Sequence, residues 1–115
     1  MILVDTIVTY ETNLRWKKFC HMVSTESVHE LNAMAARLGL RLSWLQHGSF
    51  VHYDVTPPKR ELAVRYGAIE VRPRVLLFGN FDYLNKRSIN SIPESYKLEL
   101  ATLGIRRFSQ EGNAK

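Results

Sequence analysis

The stretch SFVHYDVTPPKRELAVRYGAIEVRP, residues 49–73, predicts a strand, a helix and a second strand in direct succession. In SFVHYDV, apolar residues alternate with polar ones, which is typical of a strand that buries one face. Thr56 as N-cap and Pro57 at the first helical position predict the start of a helix, and Gly67 predicts its end. The β-branched segment AIEVRP then predicts the second strand.

A similar succession precedes this stretch. FCHMVS, residues 19–24, predicts a strand, and STESVHELNAMAARLG predicts a helix that Ser24 or Thr25 caps. LRLSWL, residues 40–45, predicts the next strand, and MILVDTIVTY predicts a first strand that ends near Asp5. Together these elements predict an α/β fold with a small mixed or partly parallel sheet, built from two βαβ units.

Residues 74–115 have a less regular pattern. VLLF is compatible with a short edge strand, and GNFDYLNKR is rich in turn-forming residues. In SIPESYKLELATLG, the spacing of Ser91 and Glu94 predicts a helix N-terminus. We therefore predict a single α/β domain over residues 1–108, with an added C-terminal helix, and a disordered tail over residues 109–115.

The composition is that of an ordinary globular protein, with 115 residues of which 45% are hydrophobic and 23% charged. No apolar run approaches the ~20 residues that a membrane span needs, and no basic segment typical of a signal peptide begins the sequence. We therefore expect no membrane partner. The single cysteine, Cys20, excludes an internal disulfide and predicts a reducing, cytoplasmic location.

The net charge of +5 is unevenly distributed along the chain. Residues 1–57 contain five Lys/Arg and five Asp/Glu, whereas residues 58–115 contain eleven Lys/Arg and six Asp/Glu. A basic surface of this kind favours acidic partners such as nucleotides or nucleic acid. The alternative is that the charge only keeps the protein in solution.

Three chemically active side chains precede the two predicted helices. His21 lies near the end of the strand before the first helix, and His52 and Asp54 lie near the end of the strand before the second. Because parallel strands end at the same edge of a sheet, we expect the three side chains and both helix N-termini to converge there. His52 and Asp54 can then orient an imidazole for acid–base catalysis, bind a divalent metal together with His21, or form a structural hydrogen bond.

Two bases follow directly, in the first turn of the second helix. A positive charge at this positive end of the helix destabilises the helix by about 0.3–1 kcal/mol for each of Lys59 and Arg60. Their placement suggests that they are there to bind an anionic ligand. The alternative is that both are solvated. We predict His21, His52 and Asp54 as catalytic candidates. The predicted ligand-binding residues are Tyr53, Thr56, Lys59 and Arg60.

Known catalytic motifs do not name a reaction. The sequence contains no Walker loop and no GxGxxG, HExxH, CxxC or GxSxG motif. Any chemistry must therefore come from residues that the fold brings together.

The run from His21 to Val71 resembles an uncharacterised family, domain of unknown function 4031, found in bacteria and phages. The matching segments are CHMVSTESVHELNAMAARLGL, SWLQH and HYDVTPPKRELAVRYGAIEV. The resemblance implies a bacterial or phage protein and supports the residue cluster, but it leaves the activity open. The residues that carry it are Cys20, His21, Glu30, Leu31, His52, Tyr53, Asp54, Thr56, Lys59 and Arg60.

The leading hypothesis is a protein that binds a phosphate-bearing ligand, either a nucleotide or a nucleic-acid backbone, at this cluster. One alternative is an enzyme, a phosphodiesterase or nuclease that uses His21 or His52, with or without a divalent metal. Another is a non-catalytic phage inhibitor that contacts a protein through its basic tail. Whether the chain forms a homo-oligomer stays open at this point.

Overall fold

The structure is a computed structural model and describes residues 1–11 and 16–108. In this part of the chain, five strands form a mixed sheet: β1 (Ile2–Val4), β2 (Val8–Glu11), β3 (Trp16–Ser24), β4 (Tyr53–Val55) and β5 (Ile69–Glu70). Five α-helices accompany it: α1 (Val28–Arg37), α2 (Pro57–Arg65), α3 (Pro73–Gly79), α4 (Phe81–Lys86) and α5 (Glu94–Thr102). None of these helices is both long and apolar enough to cross a membrane.

The long strand β3 organises the sheet. It pairs antiparallel with β1, β2 and β4, while β5 pairs parallel with β1. Met22 of β3 pairs with both Val4 of β1 and Tyr53 of β4. Since a strand has only two edges, β1 and β4 lie on opposite sides of β3. The predicted mixed α/β sheet and the added C-terminal helix, α5, are confirmed.

The first predicted βαβ unit is wrong in three respects. Its helix, α1, has Ser27 as its N-cap, whose side chain accepts a hydrogen bond from the backbone N–H of Glu30, and not Ser24 or Thr25, because Ser24 still belongs to β3. LRLSWL forms a short 3-10 helix at Leu42–Trp44 in place of a strand. Leu42 and Trp44 are each 53% exposed, so this segment has no buried face that would favour a strand. The chain then returns through an isolated bridge between Gln46 and His52 into β4, which runs antiparallel to β3. The second unit, β4–α2–β5, keeps the predicted order.

The tail is more helical than we predicted. VLLF and the turn-rich segment lie in α3 and α4 because Val75, Leu76 and Phe78 bury one side of a helix against the sheet. Such a short apolar run does not distinguish a strand from a helix. Helix α5 begins after Pro93 as its N-cap, so the expected Ser91 cap does not form. The predicted disordered tail lies outside the described residues.

Helices cover the two faces of the sheet unequally. Helices α1 and α2 cover one face, on which Met22 and Tyr53 are fully buried. Helices α3 and α5 cover part of the other, where Leu3 and Val23 are fully buried. His21 lies two residues before Val23 and shares this second face, since alternate residues of a strand share a face. Its side chain is 32% exposed, so the second face is open at this point.

Cys20 belongs to the first face, under α1 and α2. It is 2% exposed, and burial, together with the nearby charge of Asp5, raises the pKa of its thiol to about 12. We therefore expect a disulfide-forming thiol reagent to leave the native protein unmodified and to label one thiol after unfolding, because the thiolate is the reactive form. Absorbance of the released thiol measures this. Rapid labelling of the native protein would contradict the burial of Cys20.

Candidate metal centre

His21 and Asp54 are direct partners across β3 and β4. Directly opposed residues point their side chains to the same face of the sheet, so the antiparallel register brings this imidazole and this carboxylate together. His52 lies two residues before Asp54 and shares its face. The three side chains therefore meet through antiparallel pairing, and not through the parallel strands that we expected.

The three side chains form a compact group. One possible ligand atom from each of His21, His52 and Asp54 lies within 4.8 Å of the other two. The two imidazole rings are 5.2 Å apart, and Nε2 of His52 is 3.5 Å from Oδ1 of Asp54. The side chain of His52 is 11% exposed and that of Asp54 39% exposed. The group is thus walled by protein but open on one side.

A β-bulge supplies a fourth residue, Asp5, which sequence reasoning missed. The step from Val4 to Val8 spans four residues, whereas the paired step from Met22 to Phe19 spans three, so the segment between β1 and β2 holds one extra residue. Bulges redirect side chains in this way. The only signal in the sequence was an acid directly after a buried apolar strand.

The buried carboxylate of Asp5 holds His21 at two points. Oδ1 of Asp5 accepts a hydrogen bond from the backbone N–H of His21 at 2.7 Å, and Oδ2 lies 2.8 Å from Nδ1 of its ring. Asp5 is 2% exposed, so these contacts are shielded from water. The hydrogen bond to Asp5 raises the pKa of His21, against the opposing effect of burial, and the charges of Asp5 and Asp54 add to the increase.

His52 is anchored through the same ring atom. Its Nδ1 lies 3.0 Å from the carbonyl oxygen of Phe50. Carbonyl and carboxylate oxygens only accept hydrogen bonds, so Nδ1 carries the proton in both histidines, and Nε2 is left with a free lone pair when the ring is neutral. Histidines that bind metals are oriented by acceptors of these two kinds.

The free Nε2 of His52 faces another acceptor. Oδ1 of Asp54 lies 3.5 Å away, and two lone-pair atoms at this distance repel each other unless a cation lies between them. Gln46 fixes the carboxylate by donating a hydrogen bond to Oδ2 of Asp54 at 2.7 Å, which leaves Oδ1 turned toward His52. The arrangement is suited to a metal ion or to a proton.

Phe50 forms an apolar wall beside both histidines. Its ring centroid is 4.5 Å from that of His52 and 5.7 Å from that of His21. Asn80, which is fully buried at the junction of α3 and α4, donates a hydrogen bond to the carbonyl oxygen of Val51 at 3.0 Å. The tail of the chain thus fixes the segment that carries His52.

The predicted anion-binding residues have structural partners. Lys59 donates to the carbonyl oxygen of Leu38, and Arg60 donates to the carbonyl oxygen of Asp5 and to Glu70. These contacts hold α2 against the sheet and support the bulge.

The remaining two predicted residues also serve the fold. Tyr53 is buried on the opposite face of β4, where its hydroxyl donates to Asn32 of α1. Thr56 is the N-cap of α2, as predicted, but its side chain makes no capping hydrogen bond. Because β3 and β4 are antiparallel, their carboxyl ends point in opposite directions, and the helices α1 and α2 that follow them begin at opposite ends of the strands. The predicted convergence of the two helix N-termini is therefore wrong.

A family model described as "Protein of unknown function (DUF4031)" matches residues 2–79. The chain belongs to this family. The DUF4031 match contains all five strands and the helices α1 to α3, and it includes the four residues Asp5, His21, His52 and Asp54. No curated protein matches the chain, and no solved structure does.

Proposed function

We propose that the chain binds a divalent transition metal through His21, His52 and Asp54 and uses it to hydrolyse a phosphate-bearing substrate. One observation carries the proposal: two imidazoles with Nδ1 held by an acceptor and Nε2 free lie beside a carboxylate, with ligand atoms within 4.8 Å. A structural hydrogen-bond pair does not need two neighbouring histidines anchored in the same way.

The donor set indicates which metals fit. Two imidazole nitrogens and one carboxylate oxygen suit Zn²⁺, Fe²⁺ or Mn²⁺ better than Mg²⁺ or Ca²⁺, which prefer oxygen ligands alone. A metal bonded at about 2.1 Å separates neighbouring ligand atoms by roughly 3.4 Å. His52 and Asp54 already match this spacing at 3.5 Å, and the ligand atoms of all three residues lie within 4.8 Å of one another.

Three protein ligands leave coordination positions for water and substrate, as in catalytic metal sites. A metal held by His21, His52 and Asp54 would lower the pKa of a water molecule and polarise a phosphoryl oxygen. In the hydrolysis that it would support, the water oxygen bonds to phosphorus as the ester P–O bond breaks. The proton that the water releases to solvent balances the proton that the leaving oxygen takes up. The net charge of +5 supports a phosphate-bearing substrate because it attracts anions to the protein.

Calorimetric titration of metal-free protein with Zn²⁺ and Mn²⁺ tests the metal centre. We expect His21→Ala, His52→Ala and Asp54→Asn each to weaken metal binding by about 100-fold or more, since each removes a ligand. His47→Ala is the matched control, because His47 is an exposed histidine outside the cluster. Asp54→Asn preserves the shape of an exposed side chain, so we expect this variant to fold like the wild type. A loss of metal affinity in it then reports the loss of the ligand itself. Equal affinities in all four variants and the wild type would refute the metal centre.

Hydrolysis assays test the second half of the proposal. We expect metal-loaded protein to cleave at least one of RNA, single-stranded DNA, cyclic nucleotides or bis(4-nitrophenyl) phosphate, and Asp54→Asn to abolish this cleavage. His47→Ala should cleave like the wild type. Tight metal binding without turnover on any of these substrates would contradict the hydrolytic role but not the metal centre.

A further inference from the structure

A groove of about 610 Å³ lies directly beside the candidate metal centre. Its walls contain two aromatic rings, two lysines, one residue of the candidate metal centre (Asp54) and the glutamine that donates a hydrogen bond to it. The residues of interest are Lys17, Phe19, Trp44, Gln46, Asp54 and Lys59.

Asp54 belongs to both the groove and the metal centre. Gln46, which holds Oδ2 of Asp54 at 2.7 Å, is also part of the groove wall. A molecule in the groove therefore lies against Asp54, and a part of it that extends past this carboxylate would approach a metal held by His21, His52 and Asp54.

The aromatic walls of the groove suit a planar group. Trp44 is 53% exposed although it is the largest apolar side chain of its segment, and Phe19 approaches Tyr10 with ring centroids 6.3 Å apart. The guanidinium of Arg41 lies 5.9 Å from the Trp44 ring and adds positive charge at the rim. Exposed aromatic rings beside basic side chains are the usual means by which proteins stack on nucleic-acid bases.

The two lysines of the groove, Lys17 and Lys59, can bind an anion. Lys17 is exposed, and Lys59 donates one hydrogen bond to the carbonyl oxygen of Leu38 at 2.6 Å. An ammonium group has three N–H donors, and Lys59 uses one of them within the part of the chain that the structure describes, which leaves two donors for a ligand. A ligand with both a planar ring and a phosphate matches these walls, whereas a phosphate alone leaves the aromatic rings uncovered.

We propose that this groove binds a nucleotide unit, with its base stacked on Trp44 and Phe19 and its phosphate directed by Lys17 and Lys59 toward the metal centre. The inference deepens the proposed hydrolytic function, since it rests on the metal centre for chemistry and names the substrate class. A free nucleotide and a nucleotide within single-stranded nucleic acid share this chemistry.

Binding of adenosine 5′-monophosphate in the presence of EDTA isolates the groove from the metal. We expect Trp44→Ala to weaken this binding by about tenfold, a typical loss for one stacked base. Leu42→Ala is the matched control, because Leu42 lies on the same 3-10 helix, is also 53% exposed and is outside the groove. Fluorescence anisotropy of a labelled nucleotide measures both affinities.

Two competitors identify the ligand. Ribose 5-phosphate should compete poorly, because it lacks the base. A short single-stranded oligoadenylate that binds much more tightly than the mononucleotide, and more weakly at high salt, identifies nucleic acid as the source. Equal affinities identify a free nucleotide.

The proposal is overturned if ribose 5-phosphate binds as well as the nucleotide, or if Trp44→Ala binds like Leu42→Ala. His21→Ala separates this failure from failure of the metal centre. The His21→Ala variant should lose metal binding and keep nucleotide binding in EDTA, so the two binding functions are measured independently.

Discussion

Asp5→Asn is expected to weaken metal binding by about 10–100-fold while the chain still folds. Asp5 would touch no metal. Its carboxylate accepts a hydrogen bond from the backbone N–H of His21 and lies beside Nδ1 of the ring. The effect would therefore come from the orientation and protonation of His21.

The amide changes which ring nitrogen carries the proton. The oxygen of Asn can still accept from the backbone N–H of His21, but its NH₂ group donates toward Nδ1. Nδ1 must then accept, and the proton moves to Nε2, the atom that would bind the metal. The substitution preserves the size of the buried side chain, so cavity formation adds little.

Titration with Zn²⁺ after removal of bound metal measures the effect. Glu61→Gln is a suitable control because it neutralises an exposed acid that pairs only with Arg65 among the described residues. Unchanged metal affinity in Asp5→Asn would show that Asp5 does not set the ring of His21, whereas loss of folding would place its main role in stability.

The same variant has a predicted pH signature in EDTA. Because Asp5 raises the pKa of His21 above 6.5, protonated His21 stabilises the folded state. This contribution is complete below the ordinary histidine pKa and disappears as the pH rises through the raised pKa. The difference in unfolding free energy between wild type and Asp5→Asn should therefore narrow with rising pH. Urea unfolding at several pH values measures it, and a widening gap would contradict the assignment.

Asn80→Ala is expected to lower the free energy of unfolding by about 3 kcal/mol. Asn80 is fully buried, and its side chain makes two hydrogen bonds. Its NH₂ group donates to the carbonyl oxygen of Val51, and its oxygen accepts from the backbone N–H of Tyr83 as the N-cap of α4. Alanine leaves both backbone groups without this partner and removes a helix cap.

Urea unfolding of Asn80→Ala and Asn90→Ala tests this expectation. Asn90 is exposed, so its replacement should change the free energy of unfolding by less than about 0.5 kcal/mol. Equal stability of the two variants would contradict a structural role for Asn80. This residue directly follows the range matched by the DUF4031 model, so a large effect would show that the tail stabilises the family domain in this chain.

Local signals predicted much of the secondary structure. Gly67 was predicted to end a helix, and it adopts the positive φ that such an end requires, at +110°. Gly39 and Gly104 follow two other helices in the same way, with φ of +79° and +88°. The alternation in β4 also held, with Tyr53 and Val55 buried and Asp54 exposed. These features depend on conformational preferences and periodicities within a few residues, which a single sequence contains.

Pairing between distant segments was not predictable in the same way. The 3-10 helix at Leu42–Trp44 has the alternation of a strand, but Leu42 and Trp44 are each 53% exposed, so no buried face holds the segment in the sheet. Similarly, Asp5 has no motif around it, and only the one-residue bulge opposite β3 directs its carboxylate to His21. Neither outcome is encoded by spacing along the chain.

The sequence by itself determined the α/β class, the glycine at which α2 stops and the presence of His21, His52 and Asp54 near strand–helix junctions, but it misplaced the N-terminal caps of α1 and α5. Tertiary structure alone decided that β4 runs antiparallel to β3, that His21 therefore faces Asp54, and that Asp5 supports the group. The physical reason is that strand direction and register depend on which faces the helices cover, a balance of burial and hydrogen bonding over the whole domain.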